Sequence, residues 1–250
     1  MKKFTLMAVA LAFILGADAQ PISAIPKNIR ASNTLSNLYD ANGVTTFDNF
    51  YGIPLEPGSI VGNAFLNPDW KRTTFLLYDN DKMIEGYSSR YEIERDQFEI
   101  MASGMVKVLN GKKVKSFVWL DSLTRMPHYF VNGRNFKDEN NTSLSGFYEV
   151  LTEGTLSMLA KTEVVVKKPN YSVQFDMGNR DMRISKKTVF CYTENGKIKE
   201  VPSARKKLLP VFGQHASAVD RFVKVNTLSL NEAGHLRAVF EHFNTLMVTN

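Results

Sequence analysis

Histidines are the residues of this chain best suited to metal or acid–base chemistry, and there are four: His128, His215, His235 and His242. Two imidazoles on one helix bind a single metal ion when they are separated by one turn, as in His-x-x-x-His. No such spacing occurs here, since His235 and His242 are seven residues apart and a helix would separate them by about 10 Å. The sequence therefore predicts no metal site and no bound cofactor.

Paired carboxylates are a second possible source of chemistry, because two of them flanking a glycosidic bond perform its hydrolysis. Glu149 and Glu153 form one candidate pair by spacing, and Glu92 and Glu94 form another. In an alternating strand, Glu92 and Glu94 lie together on the face opposite Tyr91, which is ordinary sheet amphipathicity. A deep polar pocket that joined Glu149 or Glu153 to a histidine would favour a hydrolase.

Cys191 is the only cysteine, so an internal disulfide and a cysteine-based zinc site are excluded. It lies in the apolar run Val189–Tyr192, which is typical of a strand and predicts a buried, unreactive thiol. The sequence also contains no Gly-x-Ser-x-Gly, Walker A or Gly-x-Gly-x-x-Gly pattern. We therefore assign no catalytic, cofactor-binding or metal-binding residues from the sequence.

Short apolar runs separated by turn residues occupy the middle of the chain and predict antiparallel strands. Asn110-Gly111 separates the runs 105–109 and 114–120, and Asn-Gly between apolar runs is a strong signal for a two-residue hairpin. Asn195-Gly196 predicts a second hairpin, and Gly154 marks another turn. No alternation of strand and helix appears, so the parallel α/β architectures are not expected.

Helical spacing replaces the strand pattern after Pro202. Ser203 is the expected cap of a short helix that Pro210 limits, and apolar residues from Ala216 to Val223 predict a second helix. Ser229–Glu232 reads as the capping box of the last helix. One face of that helix should pack against the sheet, through Leu236, Val239, Phe240, Phe243, Leu246 and Met247.

These patterns predict a β-rich α+β fold: a large antiparallel sheet system of meanders and hairpins, curved or sandwich-like, followed by a small C-terminal helical section. The predicted organisation is a signal peptide over 1–19, an irregular lead-in over 20–69, an antiparallel β body over 70–202, and helices packed on that body over 203–250. A composition with 44% hydrophobic and 22% charged residues fits a globular protein and excludes a disordered chain.

The first residues have the layout of a secretory signal peptide. Lys2-Lys3 precedes the apolar run Phe4 to Leu15, and Ala17-Asp18-Ala19 places small residues before a cut at Gln20. The run is shorter than the roughly 20 residues of a membrane span, and no later run is long enough, so no transmembrane span is expected in the mature chain. We expect cleavage before Gln20 and export to the periplasm or the outer surface.

Positive charge is concentrated in one part of the chain. The net charge is +6, and residues 161–209 hold 12 basic and five acidic side chains. This basic segment is a candidate contact for an anionic envelope partner, although solvated strand faces would give the same count. Export argues against nucleic acid as the target.

Six short motifs resemble a family of uncharacterised exported proteins of Bacteroidota bacteria. They are Gly62–Trp70, Arg90–Ile93, Gly146–Leu151, Leu159–Lys161, Lys206–Leu209 and Phe243–Leu246. The resemblance covers most of the mature chain, and its motifs are structural rather than catalytic. It implies an exported bacterial protein and no particular activity.

The leading functional hypothesis is an exported, soluble, non-catalytic envelope protein that binds or scaffolds a partner. One alternative is a periplasmic carrier or chaperone for lipophilic cargo. Its adaptable lining would come from methionines, namely Met83, Met101, Met105, Met126, Met158, Met177 and Met182. The other alternative is a small hydrolase of envelope material.

Overall fold

The computed structural model describes residues 58–121, 124–172 and 175–248. The expected signal peptide, its cleavage before Gln20 and most of the lead-in lie outside the described residues. No helix in the described ranges is long and apolar enough to cross a membrane.

Eleven strands form one sheet, and its strand content confirms the predicted β-rich α+β class. In chain order the strands are β1 (Ile60–Val61), β2 (Lys71–Leu77), β3 (Met83–Glu92), β4 (Gln97–Ala102), β5 (Met105–Asn110), β6 (Val114–Leu120), β7 (Pro127–Asn132), β8 (Phe147–Thr152), β9 (Met158–Lys167), β10 (Met182–Glu194) and β11 (Lys197–Glu200). Across the sheet the order is β1-β10-β9-β8-β7-β6-β2-β3-β4-β5, and β11 also pairs with β10.

Nearly all neighbouring strands are antiparallel, as the sequence predicts, and β1 runs parallel to β10. The Asn195-Gly196 hairpin is confirmed, since it joins β10 to β11 with Glu194 opposite Lys197. Both of its central residues have positive φ, 51° at Asn195 and 74° at Gly196. These angles are those of the type I′ turn that Asn-Gly favours.

The hairpin predicted at Asn110-Gly111 is wrong. β5 pairs with β4, whereas β6 pairs with β2 and β7, so the two flanking strands are not neighbours. The Asn110 side chain instead accepts a 2.9 Å hydrogen bond from the N–H of Lys112 and caps the 3-10 turn Gly111–Lys113. A Cβ atom on residue 111 would lie 2.1 Å from Oδ1 of Asp96. Glycine is required here by close packing rather than by a positive φ.

The C-terminal section contains α1 (Arg205–Leu208), a 3-10 segment (Leu209–His215), α2 (Ala216–Val225) and α3 (Ala233–Val248). Helices α2 and α3 lie where the apolar spacing predicts them. The expected cap at Ser203 is wrong, because the residue at the N-cap of α1 is Ala204, which makes no side-chain capping bond. Pro210 lies at the start of the 3-10 segment that follows α1.

The predicted capping box Ser229–Glu232 is also wrong, because α3 begins only at Ala233. Residues 229–232 form a turn in which the N–H of Glu232 donates to the carbonyl of Ser229 over 3.2 Å. The N–H of Ser229 is bonded by the His235 side chain, with 3.1 Å between Ser229 N and His235 Nδ1. His235, in the first turn of α3, thus accepts the hydrogen bond from the Ser229 N–H that the capping box assigned to the Glu232 side chain.

The side chains of the sheet pack into three clusters. Strands β2–β8 enclose an aromatic cluster, made chiefly of Phe75, Tyr91, Phe98, Phe117, Trp119, Phe130 and Phe147. The helices cover β8–β10 through a second cluster, which confirms that α3 packs on the sheet: Leu236, Val239, Phe240 and Phe243 are buried there with Met158 and Tyr192. A smaller third cluster holds Tyr148, Leu159, Cys191 and Ile198.

Candidate functional site

A cleft of about 650 Å³ opens beside the place where α3 meets the sheet. Strands β7 and β8 form most of its wall, and α3 contributes Arg237. The lining residues with polar side chains are His128, Tyr129, Glu149, Thr152, Glu153 and Arg237. Met126, Pro127 and Leu151 supply apolar surface, so the cleft combines charged and apolar groups, as ligand sites do.

The register of the sheet brings His128 and Glu149 together. Phe130 lies opposite Glu149 across the β7–β8 pair. Since alternate residues of a strand share a face, His128, Phe130 and Glu149 all project to the same side of the sheet. Nδ1 of His128 and Oε1 of Glu149 lie 2.6 Å apart, a short hydrogen bond between neighbouring strands.

This bond gives His128 a defined role. The Glu149 carboxylate accepts a hydrogen bond from the N–H at Nδ1. This favours the tautomer in which Nδ1 carries the proton and Nε2 has a free lone pair. In the described ranges no group bonds Nε2. The two side chains are 39% and 28% exposed. Nε2 is therefore available to accept a hydrogen bond or a proton from a bound molecule.

Two further charges flank the pair. Glu153 directly follows the last residue of β8, and Arg237 lies in the second turn of α3. Nε of Arg237 donates to Oε1 of Glu241 over 2.7 Å, and its side chain is 53% exposed. Within the described ranges no other group bonds the two terminal nitrogens of the guanidinium group, which can donate to a ligand. The cleft thus has carboxylates from the sheet and a cation from the helix.

Asn244 fixes the geometry between the two elements. Its buried amide accepts a bond from the N–H of Leu156 over 3.1 Å and donates to the carbonyls of Glu153 and Leu156 over 3.3 and 3.0 Å. These bonds tie α3 to the turn that joins β8 and β9. The side chains of Glu153 and Arg237 therefore sit on backbone segments held in one position.

The two carboxylate pairs considered from the sequence have different outcomes. Glu149 and Glu153 do line one cleft with a histidine, which is the arrangement that would favour a hydrolase. The interpretation of Glu92 and Glu94 as neighbours on one strand face is wrong, because β3 ends at Glu92 and Glu94 is an exposed turn residue. Glu92 is buried and accepts a 3.0 Å bond from Nε2 of Gln97.

The other histidines lie in structural settings. The ring of His242 stacks on Phe222 with 4.0 Å between centroids, and that of His215 meets Phe243 edge-on at 6.0 Å. His235 bonds the Ser229 backbone at the start of α3. In the part of the chain that the structure describes, no three metal-ligating side chains come together.

Cys191 is buried in β10, as its apolar neighbours predict, and is 4% exposed. Burial, reinforced by the nearby negative charge of Glu200, raises the pKa of the thiol to about 12. At neutral pH the group is a neutral thiol, which is a poor nucleophile and a poor metal ligand.

The methionines proposed as a cargo lining are not brought together. Met158 is fully buried under the helices, and Met126 lies at the charged cleft. Met83, Met101, Met105 and Met177 are exposed, and Met182 is partly buried at the start of β10. Of these methionines, only Met126 lies in the walls of the four clefts considered in the described ranges.

Arg237 is the cleft residue that sequence reasoning missed. Its spacing from Glu241 indicates only a salt bridge on a helix surface. Nothing in the sequence connects it with Glu149 and Glu153, because the contact depends on how α3 crosses the sheet.

The basic segment 161–209 extends over β9, β10, β11 and α1. Part of its charge is paired internally, since Lys199 bonds Glu194 and Arg205 bonds Asp220. Lys187 and Lys207 line a second cleft, which is separate from the one that holds His128.

Comparison of the chain with known protein families, with curated proteins and with solved structures gives no match. The resemblance to exported proteins of Bacteroidota therefore stays a prediction, and the residues of the cleft have to carry the functional argument.

Proposed function

We propose that this chain is an exported, non-catalytic envelope protein that binds a partner molecule in the His128–Glu149 cleft. The ligand we propose carries both a cationic and an anionic group. The observation that carries the proposal is the presence in one cleft of Glu149 and Glu153, from β8 and the turn after it, and of Arg237, from α3.

The dimensions and charges of the cleft support a small ligand. Its volume of about 650 Å³ falls within the roughly 300–1,000 Å³ of small-molecule sites. The carboxylates of Glu149 and Glu153 would hold an ammonium group, and the free nitrogens of Arg237 would hold a carboxylate. His128 would add a hydrogen bond through Nε2. A short peptide with free ends presents this combination of groups.

Export rests on the sequence alone. A basic start, the apolar run Phe4 to Leu15 and small residues before Gln20 support a secreted chain.

Isothermal calorimetry with trialanine, a zwitterionic tripeptide, tests the proposal. We expect binding that is weakened when either end is blocked, by acetylation of the ammonium or amidation of the carboxylate. Glu153→Gln should weaken the free peptide about threefold to tenfold but leave the acetylated peptide unchanged. Arg237→Gln should likewise weaken binding of the free peptide but leave binding of the amidated peptide unchanged.

A control is His235→Gln. His235 also has a carboxylate nearby, with 3.3 Å between its Nδ1 and Oε2 of Glu232, but it does not line the cleft. It should leave the affinity for trialanine unchanged. Equal affinities for all three peptides, or no binding of any, would contradict the proposal.

A second candidate function is hydrolysis, favoured by the 2.6 Å bond between His128 and Glu149. In this reaction Nε2 of His128 would take a proton from water while the water oxygen attacks an ester or amide carbonyl. Glu149 would stabilise the resulting imidazolium, and the proton would then pass to the leaving group. A panel of chromogenic esters separates the two functions. Turnover that His128→Gln abolishes and His235→Gln preserves would establish hydrolysis and overturn the non-catalytic reading.

A further inference from the structure

Strand β10 has an unpaired stretch along one of its edges. On that edge β1 pairs with Met182 and Arg183, and β11 pairs with residues 191–194. Between them, residues 184–190 face no strand in the described part of the chain, although β9 pairs with them on the other edge. The sheet therefore has a gap framed by a strand at each end.

The backbone carbonyl groups at the two ends of the gap point to the same open edge of β10. The carbonyl of Phe190 accepts a 2.8 Å bond from the N–H of Val201, so it points to the open edge. The carbonyl of Ile184 points the same way, since a Cβ atom on Gly62 would lie 2.0 Å from it. Alternation along the strand then directs the N–H and C=O groups of Lys186 and Thr188 into the gap.

A cleft of about 560 Å³ follows this edge. Strand β10 supplies residues 187–190 to it, and the segment after β11 supplies Val201 and Pro202. Leu230 and Leu236 close it from the helical side. Its apolar walls give alternate side chains of an added strand a place to pack.

The charge beside the gap is mainly positive. Lys187 and Lys207 line the cleft with a single carboxylate, that of Glu200. No described carboxylate lies within ion-pair distance of either lysine. Their ammonium groups are therefore available to an anionic partner.

We propose that an extended peptide segment with acidic side chains adds to β10 as a strand between β1 and β11. Ile184 lies against Gly62, and the Phe190 carbonyl is bonded by Val201. The open residues 185–189 span about 16 Å, which accommodates a strand of about four residues. The exposed N–H and C=O groups require a partner with a peptide backbone. Anionic polysaccharides and lipids cannot form the same ladder of backbone hydrogen bonds. The lysines select acidic side chains. This site is independent of the His128–Glu149 cleft.

Fluorescence anisotropy with a labelled acetyl-Glu-Val-Glu-Val-Glu-Val-amide peptide tests the proposal on the full protein. The control is the same peptide with N-methyl groups on alternate amides, which keeps the charge but prevents pairing along one edge. We expect the methylated peptide, and a peptide with lysine in place of glutamate, to bind at least tenfold more weakly.

Variants locate the site. Thr188→Pro removes an N–H that faces the gap, at an edge position where proline is tolerated, and should abolish peptide binding. Changing both Lys187 and Lys207 to Gln should weaken binding about tenfold. Lys206→Gln is the matched control, because Lys206 does not line the cleft. The double lysine variant keeps the test decisive if Thr188→Pro fails to fold.

Equal binding of the methylated and unmethylated peptides would overturn the proposal and indicate a surface for anions of any kind. The proposal would also be overturned if dextran sulfate displaced the peptide and bound with the same affinity as the peptide. Unchanged affinity in the double lysine variant, or no binding of the acidic peptide, would also contradict it.

Discussion

At the scale of single residues, burial controls the ionisation of several side chains in the sheet. Tyr91 and Tyr148 are almost fully buried, and burial raises the pKa of both phenols. The negative charge of Asp96 acts in the same direction on Tyr91, which donates a 2.8 Å bond to that carboxylate. The Cys191 thiol behaves likewise, with its pKa raised to about 12.

These shifts predict that alkaline pH destabilises the protein. An unfolded thiol loses its proton near pH 9, whereas the folded thiol keeps it to about pH 12, so the unfolded state is favoured progressively as pH rises between those values. We expect the thiol alone to lower the free energy of unfolding by about 2 kcal/mol between pH 8 and 10.5. Urea denaturation at the two pH values measures it. Cys191→Ala should reduce this loss, and an identical loss in both proteins would refute the prediction.

Asn244 is the residue whose hydrogen bonds hold the cleft elements together. Asn244→Leu removes three bonds to the turn between β8 and β9 and leaves buried backbone groups of Leu156 without partners. We expect the free energy of unfolding to fall by about 2–4 kcal/mol, since each unsatisfied buried group costs about 1–3 kcal/mol. Asn226→Leu is the control, because its single bond to the Phe222 carbonyl is exposed. Equal effects of the two substitutions would contradict this role.

At the scale of elements, helix α3 depends on its apolar face. Phe240 is completely buried and meets the rings of Phe212 and Tyr192, with centroid separations of 5.4 and 6.3 Å. Phe240→Ala should lower the free energy of unfolding by about 3–5 kcal/mol, as buried Phe-to-Ala changes do. Val248→Ala, at an 86% exposed position of the same helix, should change it by less than about 0.5 kcal/mol. Denaturant titration of both variants would show whether the face is buried.

The turn at Gly111 gives a second test. Gly111→Ala places a methyl group against Asp96 and should lower the free energy of unfolding by about 1–3 kcal/mol. Gly234→Ala introduces the same methyl group in α3, where no described atom beyond the adjacent helix backbone lies within 4 Å. It should stabilise the protein by up to about 1 kcal/mol. Thermal melts of the two variants should therefore shift in opposite directions. Stabilisation by both substitutions would show that the close contact with Asp96 is absent.

Sequence patterns predicted the strands and helices correctly where interactions between residues close in sequence determine the structure. The Asn195-Gly196 hairpin and the apolar face of α3 depend on turn geometry and helical spacing, and both are confirmed. The Asn110-Gly111 hairpin failed because the same dipeptide also caps a 3-10 turn, and only strand order distinguishes the two uses. The capping box failed because α3 begins only at Ala233, and the N–H of Ser229 is bonded by the His235 side chain instead.

At the scale of the whole molecule, the sheet order creates the candidate site. His128 and Glu149 come from the neighbouring strands β7 and β8, and Glu153 comes from the turn after β8. Arg237 comes from a helix more than 80 residues later. Spacing suggested Glu149 and Glu153, but their association with His128 depends on the β7–β8 register. The position of Arg237 depends on the docking of α3, which leaves no signal in the sequence.

The most direct test of the central claim is NMR mapping of trialanine binding to the protein. We expect backbone and side-chain shifts to change around residues 126–129 and 149–153 and at Arg237, and the changes to disappear in the Arg237→Gln, Glu153→Gln double variant. Shift changes located elsewhere, or changes that persist in that variant, would contradict a binding site at the His128–Glu149 cleft.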